Sequence, residues 1–511
     1  MSATKLQARF LPGERWWGGA VHDGARMPLT ASSDYAIDLR QEQRGNQSMP
    51  LFLSTKGRYL WCDQGFSIRF AAGVLRAESS GAPLELKATG GGLREAYLAA
   101  MKAHFPFDPT PPEALFYTRP QYNTWVELLY QQNQEGVLAY ARSVLANGLA
   151  PGVLMIDDTW QEDYGLWRFH PGRFPNPKAM CRELHDLGFS VMVWLVPYLS
   201  ADSPSFRKAQ ALPGALLRRA DGEPVLLSWW NGYSAALDLR QASARALLDE
   251  QLHALQEEVG VDGFKFDGGG LNAYAQAGDL GGATPSELNQ AWFQYAASYR
   301  FHEAKDSWKA GGRTINQRLR DKDHAWEGEG LACILPDAFN ASLTGHPYLC
   351  PDMVGGGEWT CFLPGGRLDE ELLVRCAQAS ALFPMLQFSV APWRVLSGPA
   401  LQAVLEAGRL HERLGGEIYR LVCQTAKTGE PLLTPLCYYY PQPPYAQVLD
   451  EFLLGRDLLV CPVLQKGCRE REVVFPPGLW QGADGTRYPG GQTLRLAAPL
   501  ETLLYFRRVP G

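Results

Sequence analysis

Short runs in which apolar and polar residues alternate fill about the first hundred residues of the chain. Two examples are "PLFLSTKGRYLWCD" and "FSIRFAAGVLRAES", and Gly, Pro, Asn and Asp separate such runs. A period of two residues is typical of strands that bury one face. The pattern predicts an N-terminal β-sandwich over residues 1–110, with a helix in "LREAYLAAMKAHF" at 93–105 before a proline-rich linker.

From residue 111 to 415 the pattern changes to short apolar runs that alternate with longer segments of helical period. The apolar runs include "GVLMIDD", "SVMVWLVP", "VDGFKFDGGG" and "RTINQR", and "ARALLDEQLHALQEEVG" at 244–260 is among the helical ones. This alternation predicts an α/β fold with a parallel sheet, and close to eight strand candidates favour a (β/α)8 TIM barrel. Residues from about 198 to 240, with "LLSWWNGYSAALDL", are too long for a plain connection and predict an insertion over the barrel mouth.

After residue 416 strand patterns return in "DLLVCPVLQ", "EREVVFPPGLW" and "TLLYFRR". They predict a C-terminal β-sandwich domain over residues 416–511. A chain of 511 residues exceeds the size at which one hydrophobic core stops growing, which agrees with three domains.

Composition excludes several classes of partner. The net charge of −6 and the lack of a basic run argue against nucleic acid. No stretch of about 18 apolar residues and no N-terminal signal region occur, so we expect no membrane association and a cytoplasmic location. Ten scattered cysteines without a C-x-x-C pair predict free thiols in a reducing compartment. The β-domains could add contacts in a homo-oligomer.

Acidic residues follow four of the predicted barrel strands. They are Asp157, Asp158, Asp267, Asp321, Asp323 and Asp352. Any one of them could be a helix cap or a turn residue. Catalytic groups of a TIM barrel lie at the C-terminal ends of its strands, and proteins tolerate clustered like charges mainly at functional sites. The four positions together therefore predict an active site.

Other chemistries find no support in the sequence. It has no G-x-S-x-G elbow, no phosphate-binding loop and no H-E-x-x-H pair, so no metal or cofactor is predicted. Carboxylates combined with 15 tryptophans and 21 tyrosines point to glycoside hydrolysis. The expected partner is a small-molecule oligosaccharide or glycoside.

Several motifs in this order resemble glycoside hydrolase family 31. They are "VLMIDDTW", "VMVWLVP", "GFKFDGGG", "LPDAFNASLTGHPYLCPDMVGGG" and the C-terminal "LLVCPVL" and "FPPGLWQGADGTRYPGG". Within the family, "NTWVELLY", "DKDHAW", "PDMVGGG" and "PMLQFSVAPW" are similar to the branch of the myogenesis-regulating glycosidase and bacterial α-galactosidases. The resemblance covers essentially the whole chain. It implies a retaining exo-acting α-glycosidase.

The resemblance also implies roles for individual residues. Asp267 matches the nucleophile, and the glycines after it would keep the approach to the anomeric carbon open. Asp321 is the favoured acid/base because Trp326 follows five positions later, as in the family, and Asp323 is the alternative. The acid/base must hold a proton near neutral pH, which burial beside an ionised Asp267 would favour.

Further residues are predicted to bind the sugar. Asp157 and Asp352 match hydroxyl-binding aspartates, Arg318 matches an arginine of the site, and Lys265 could steady the nucleophile. Tryptophans could form pocket walls or simply pack in the core, and Trp230 ranks first because it lies in the insertion. The substrate-binding set is Trp125, Asp157, Asp158, Trp194, Trp230, Lys265, Arg318, Asp352 and Ser389.

Ser389 marks a departure from the family. Family α-glucosidases place a sugar-binding histidine at this position of the last strand, where the chain reads "FPMLQFSV". The change weakens an α-glucosidase assignment and favours α-D-galactosides. An α-glucosidase, an α-xylosidase or a transglycosylase remains the alternative within the family, and a non-catalytic sugar-binding protein is the alternative of another class.

Overall fold

The alternating segments near the N-terminus form two antiparallel sheets, which confirms the predicted sandwich. A computed structural model describes residues 4–40 and 44–511 of the chain; residues 1–3, at the start of the predicted first domain, lie outside it. One sheet has the order β1-β7-β6-β3, and the other pairs β2, β4, β5 and β8. The ring of Phe52 lies 5.4 Å from that of Phe70, so that residues of both sheets pack in one core. The strands are β1 Thr4–Arg9, β2 Trp16–Ala20, β3 Tyr35–Asp38, β4 Gln47–Ser54, β5 Arg58–Cys62, β6 Phe66–Ala71, β7 Val74–Ser79 and β8 Leu84–Ala88.

Eight parallel strands form the barrel and follow one another around it in chain order. The ring closes through a parallel bridge between Met353 and Gln387, with Val354 N donating to Gln387 O at 2.8 Å. Its core strands, such as "VLMI" and "SVMVWL", are almost wholly buried because helices cover the outside and side chains fill the inside. The strands of this region are β9 Gln121–Asn123, β10 Val153–Ile156, β11 Gln161–Asp163, β12 Leu166–Phe169, β13 Ser190–Leu195, β14 Tyr198–Ser200, β15 Leu226–Trp229, β16 Gly232–Ala236, β17 Gly263–Phe266, β18 Phe301–Ala304, β19 Ser307–Trp308, β20 Gln317–Arg318, β21 Leu349–Cys350 and β22 Gln387–Phe388.

Helices begin where the sequence supplies a cap. Asn176, Ser203 and Thr284 each accept a hydrogen bond from the first turn of the helix that follows. The predicted helix at 93–105 is observed, and the segment at 242–259 is a helix that ends in a π-helical turn at Leu255–Val259. The helices are α1 Leu93–His104, α2 Leu115–Thr118, α3 Trp125–Leu128, α4 Gln134–Ala146, α5 Pro177–Asp186, α6 Pro204–Ala211, α7 Ala242–Ala254, α8 Leu271–Gln276, α9 Pro285–Ala296, α10 Ile334–Leu343, α11 Glu370–Ala381, α12 Pro392–Val395 and α13 Gly398–Thr428.

The predicted insertion is a three-stranded antiparallel sheet in the order β14-β16-β15. It lies between barrel strands β13 and β17 in the chain. A tight turn joins β15 to β16, with Trp229 paired to Gly232. This turn carries Trp230 and Asn231 to the end of the barrel at which the strands finish.

The boundary predicted at residue 415 falls inside α13, which continues to Thr428. The helix continues past the predicted boundary because its buried positions extend past Ile418 to Val422 and Ala426. The C-terminal domain follows as a six-stranded sheet and a two-stranded one that share a core. The strands are β23 Leu433–Pro435, β24 Phe452–Leu454, β25 Leu458–Cys461, β26 Glu470–Phe475, β27 Leu479–Gly482, β28 Arg487–Pro489, β29 Gln492–Ala497 and β30 Leu504–Val509.

One barrel segment belongs to the sheet of another domain. Strand β19 pairs with β4, so that Ser307 lies opposite Gln47. The Gln47 side chain donates to the carbonyl oxygens of Lys305 at 2.6 Å and Arg318 at 3.1 Å. The N-terminal domain is therefore joined to the ends of two adjacent barrel strands.

The ten cysteines, all within the described ranges, are free thiols, and seven of them are buried. Over residues 4–40 and 44–511, no helix is both long and apolar enough to span a bilayer.

Candidate active site

A cavity of about 580 Å³ opens at the C-terminal ends of the barrel strands. We call it the first cavity. Its walls include ten of the residues predicted from the sequence: Trp125, Asp157, Asp158, Trp194, Trp230, Lys265, Asp267, Arg318, Asp321 and Asp323. The strand order explains this convergence, because the carboxyl ends of parallel strands meet at one face of a barrel.

Asp267 directly follows β17 and is 8% exposed. The Trp194 indole donates to its Oδ2 at 3.0 Å, and the Gly268 amide donates to Oδ1 at 2.8 Å. Burial raises the pKa of this carboxyl, but Lys305, Lys265 and Arg318 together outweigh burial and hold it below its usual value. Asp267 is thus an ionised carboxylate that faces the cavity.

The glycines after Asp267 are also required by the backbone and by close packing, and the open approach that they would give to the anomeric carbon stays a prediction. Gly268 and Gly269 adopt left-handed φ values of 60° and 66°. A Cβ on Gly269 would lie 2.3 Å from the Trp292 ring, and one on Gly270 would lie 2.8 Å from the carboxylate of Asp306. Backbone conformation and close packing require these glycines, and they let the chain turn tightly behind Asp267.

Asp157 and Lys265 form a buried ion pair beside Asp267. Lys265 Nζ lies 2.6 Å from Asp157 Oδ2, and the amide of Asn123 donates to the same oxygen at 2.7 Å. Both ends of this pair line the cavity, where they can donate to and accept from sugar hydroxyl groups.

Asp158 connects the barrel to the insertion. Tyr164 OH donates to its Oδ1 at 3.1 Å, and Asn231 Nδ2 donates to its Oδ2 at 3.1 Å from the turn between β15 and β16. Burial and the neighbouring Asp157 raise the pKa of the Asp158 carboxyl. The hydrogen bond that Asp158 accepts from Asn231 holds the turn between β15 and β16, and with it Trp230, over the cavity.

Asp321 lies between two cations. Lys305 Nζ donates to one carboxylate oxygen at 2.6 Å and an Arg318 guanidinium nitrogen to the other at 2.7 Å. Although burial opposes them, the two cations hold the pKa of Asp321 well below its usual value, even with 52% of the side chain exposed. The expectation that the surroundings of Asp321 favour its protonated form is therefore wrong for this arrangement.

Asp323, the alternative acid, is exposed and lines the same cavity. Among residues 4–40 and 44–511, no group donates a hydrogen bond to its carboxylate. The choice between Asp321 and Asp323 stays a prediction. The difference in their surroundings makes the two roles separable by experiment.

Asp352 and Ser389 lie behind the cavity and do not form its wall. Asp352 accepts from Arg318 and from the backbone amide of Lys322, so it holds the arginine in place. Ser389 is wholly buried, and its hydroxyl oxygen accepts from Val126 N at 2.7 Å. The structure thus differs from the predicted sugar contact for both residues, because protein groups already occupy their polar atoms.

The sequence reasoning missed two charged residues of β18 and its end. Glu303, 1% exposed, pairs across the strands with Lys265, lies 3.6 Å from Arg318 and accepts from Gln387 at 2.7 Å. Lys305 bonds to Asp321. Charged residues inside and directly after a short strand, in "FHEAKDSW", were the available signal, but the strand itself has too few apolar residues to recognise.

The described residues contain no group of His, Cys, Asp and Glu side chains arranged to hold a metal ion. The walls of the first cavity carry carboxylates, ammonium and guanidinium groups and aromatic rings.

Two family models match the chain. The glycosyl hydrolases family 31 TIM-barrel domain matches residues 119–278, and the family 31 C-terminal domain matches residues 429–509. The chain belongs to glycoside hydrolase family 31. The first match ends eleven residues after Asp267 and includes Asp157 and Lys265.

Relatives and solved structures agree with the family. The myogenesis-regulating glycosidase of Mus musculus is 31% identical over 420 residues, which are 77% of this chain and 57% of that protein. The SITS-binding protein of Tetronarce californica is 26% identical over 61% of this chain and 46% of its own length. A Flavobacterium johnsoniae family 31 dextranase matches the fold with a TM-score of 0.82 at 18% identity, over 99% of this chain and 66% of the dextranase. The chain spans about half the length of the curated relatives it matches.

Proposed function

We propose that the chain is a retaining, exo-acting α-glycosidase whose preferred terminal sugar is α-D-galactose. The observation that carries the proposal is the position of Asp267, an ionised carboxylate in a cavity whose walls also include Asp321, Asp323 and four tryptophans. Two carboxyl groups around one sugar are what retaining hydrolysis requires.

The reaction proceeds in two displacements. Asp267 attacks the anomeric carbon, the bond to the leaving oxygen breaks, and the acid/base carboxyl transfers its proton to that oxygen. The same group, now a carboxylate, takes a proton from water as the water attacks and releases Asp267. Two inversions return the α configuration. The low pKa of Asp267 suits the first step because the nucleophile must be ionised.

Hydroxyl groups of the terminal sugar would meet the pair of Asp157 and Lys265. Trp230, which is 57% exposed and whose ring centroid lies 6.4 Å from that of the buried Trp194, offers an apolar face for the C–H face of the terminal sugar. The preference for galactose rests on the sequence departure at Ser389. The cytoplasmic location of the protein also stays a prediction.

Two alternatives follow from specific relatives. The dextranase structure contains isomaltotriose, which favours an α-glucoside as the competing substrate. The relative named for SITS binding favours a protein that binds without catalysis. One experiment distinguishes the two alternatives from the proposed α-galactosidase.

The test is hydrolysis of nitrophenyl α-galactoside, α-glucoside and α-xyloside by the wild type and by Asp267→Ala. We expect turnover of the galactoside, release of the α-anomer first in an NMR time course, and a loss on the order of 10³-fold or more in the variant. Azide should restore turnover of Asp267→Ala and yield the β-galactosyl azide. The control is Asp34→Ala, whose carboxylate is exposed in the N-terminal domain.

A preference for the glucoside or xyloside would overturn the assignment of galactose. A β-anomer as the first product would overturn the retaining mechanism. A folded wild type without turnover of any of the three would favour the sugar-binding alternative.

A further inference from the structure

A second cavity of about 400 Å³ adjoins the first. The two share Trp230, Asp267, Lys305 and Asp321 as walls. The remaining walls of the second cavity come from all sides of the site: His22, Arg44, Gly45, Asn46, Tyr198, Ser228, Trp229, Gly268, Gly270, Asn272, Ala273, Gln276, Asp306, Arg320 and Glu329. If the terminal sugar occupies the first cavity, the second offers room for its leaving group, because Asp267 and Asp321 line both cavities.

The hairpin of β15 and β16 continues the wall of the second cavity outward. Ser228 lines the cavity, and Tyr233 is its partner across the two strands. Partners in an antiparallel pair project from the same face, as do residues two apart in one strand. Leu226, Ser228 and Tyr233 therefore form one continuous face that leads away from Asp267.

This face is exposed and apolar. Tyr233 is 72% exposed, Trp230 57% and Leu226 53%. They are three of the seven large hydrophobic side chains that are exposed among the described residues, within eight positions of the chain. Such a concentration beside a cavity is typical of a binding surface.

The other face of the hairpin is held firmly by the protein. Trp229 Nε1 donates to Ser234 Oγ at 3.0 Å, and the Trp229 ring lies 5.1 Å from that of Tyr198. Asn231 holds the turn through Asp158. The exposed aromatic face is therefore a rigid platform that can bind a ligand without first being ordered.

We propose that Leu226 and Tyr233, which lie outward of Trp230 on the same face, form a platform for a further sugar ring of the leaving group, so that the substrates are oligosaccharides whose leaving group has at least two sugar units. The proposal rests on the proposed function. Sugar rings present C–H faces that pack on aromatic side chains. A ring that leaves the second cavity past Ser228 meets Tyr233 next, because the two residues are cross-strand partners.

The first test compares substrates that differ by one ring on the leaving side. The pair is melibiose and raffinose if the nitrophenyl assay selects galactose, or isomaltose and isomaltotriose if it selects glucose. We expect a lower KM for the longer substrate. Tyr233→Ala should raise that KM about three- to tenfold, with nitrophenyl glycoside turnover unchanged.

Tyr233→Phe is the matched variant, because it keeps the ring and removes the hydroxyl group. It should retain the low KM of the longer substrate. Leu11→Ala, which removes another exposed hydrophobic side chain in the N-terminal domain, should change the KM of neither substrate. Equal KM values for the two wild-type substrates, or no effect of Tyr233→Ala on the longer one, would overturn the proposal.

A second measurement does not depend on turnover. Calorimetric titration of Asp267→Ala with the two oligosaccharides should show tighter binding of the longer one, lost again when Tyr233→Ala is added. Wild-type turnover without this difference would refute the platform and leave the proposed function intact. Tighter binding without any wild-type turnover would retain the platform and refute the enzyme.

Discussion

At the scale of single residues, the cations around the carboxylates decide the chemistry. Lys305 contacts Asp321 and helps to lower the pKa values of both Asp267 and Asp321. This suits a nucleophile but not a proton donor. For Asp321 to act as the acid, its hydrogen bond to Lys305 or to Arg318 must break when the substrate enters. The cation could then donate to a sugar hydroxyl group instead.

We expect Asp321→Ala and Asp323→Ala to separate the two candidates. Loss of the acid/base should lower kcat/KM about 10²- to 10⁴-fold on a disaccharide, whose leaving group needs the proton. The same variant should lose much less on a nitrophenyl glycoside, whose leaving group departs without one. The variant at the other position should change kcat/KM by the same factor on both substrates. Steady-state kinetics on the two substrates identifies the acid/base, and equal losses on both substrates in both variants would contradict either assignment.

At the scale of secondary-structure elements, short strands with few apolar residues carry much of the site. Strand β18 supplies Glu303 to the barrel interior, and Lys305 follows at its end. Strand β20 has only two residues, yet Arg318 on it contacts Asp321 and Asp352. These elements are strands because neighbouring barrel strands pair with them, and their own residues show little strand pattern.

A buried carboxyl joins two elements of the C-terminal domain. Glu451, just before β24, accepts from Val474 N at 3.0 Å and lies 3.0 Å from Arg471, both on β26. Burial raises the pKa of Glu451 from 4.5 to about 7, although Arg471 acts in the opposite direction. The folded protein therefore retains a proton that the unfolded chain releases above about pH 4.5.

The contribution of the protonated Glu451 carboxyl to the free energy of unfolding is complete below pH 4.5 and is lost as the pH rises through 7. We expect the wild-type free energy of unfolding to fall, relative to that of Glu451→Gln, by up to about 1.4 kcal/mol per pH unit over this interval. Urea denaturation at pH 5, 6, 7 and 8 measures the difference. Parallel pH dependences for the two proteins would show that Glu451 does not titrate in this range.

At the scale of the whole molecule, the N-terminal domain belongs to the active site. Asn46 and Arg44 line the second cavity, and β19 extends the N-terminal sheet. The side chain of Gln47 bonds to the carbonyl oxygens of Lys305 and Arg318, which both contact Asp321 through their side chains. The domain thus supports the ends of the two strands that surround Asp321.

We expect Gln47→Ala to lower the free energy of unfolding by about 1–3 kcal/mol, because two carbonyl groups lose a buried donor. It should also lower kcat, since Lys305 and Arg318 would be less well held. The control is Gln7→Ala on the exposed face of β1. Urea denaturation followed by tryptophan fluorescence measures stability. A variant as stable and as active as the wild type would show that the two domains are not coupled through Gln47.

The sequence by itself determined the three-domain order, the barrel and ten residues of its catalytic face. It could do so because buried parallel strands leave continuous apolar runs such as "VLMI" and "SVMVWL", and because an acidic residue directly after such a run can lie only at one end of a barrel. Asp157 and Asp267 were recognisable in this way, and Trp230 was recognisable because the segment that contains it is too long for a plain connection.

Only the tertiary structure decided which polar atoms face the substrate and which are already used. Asp352 and Ser389 follow the same strand-end pattern as Asp157, yet they lie behind the cavity wall that includes Asp157, where their oxygens accept from Arg318 and from Val126 N. Lys305 and Glu303 became visible only once β18 was paired with its neighbours. Hydrogen bonds and charge depend on residues hundreds of positions apart, such as Gln47 and Arg318, and local sequence patterns carry no record of such distances.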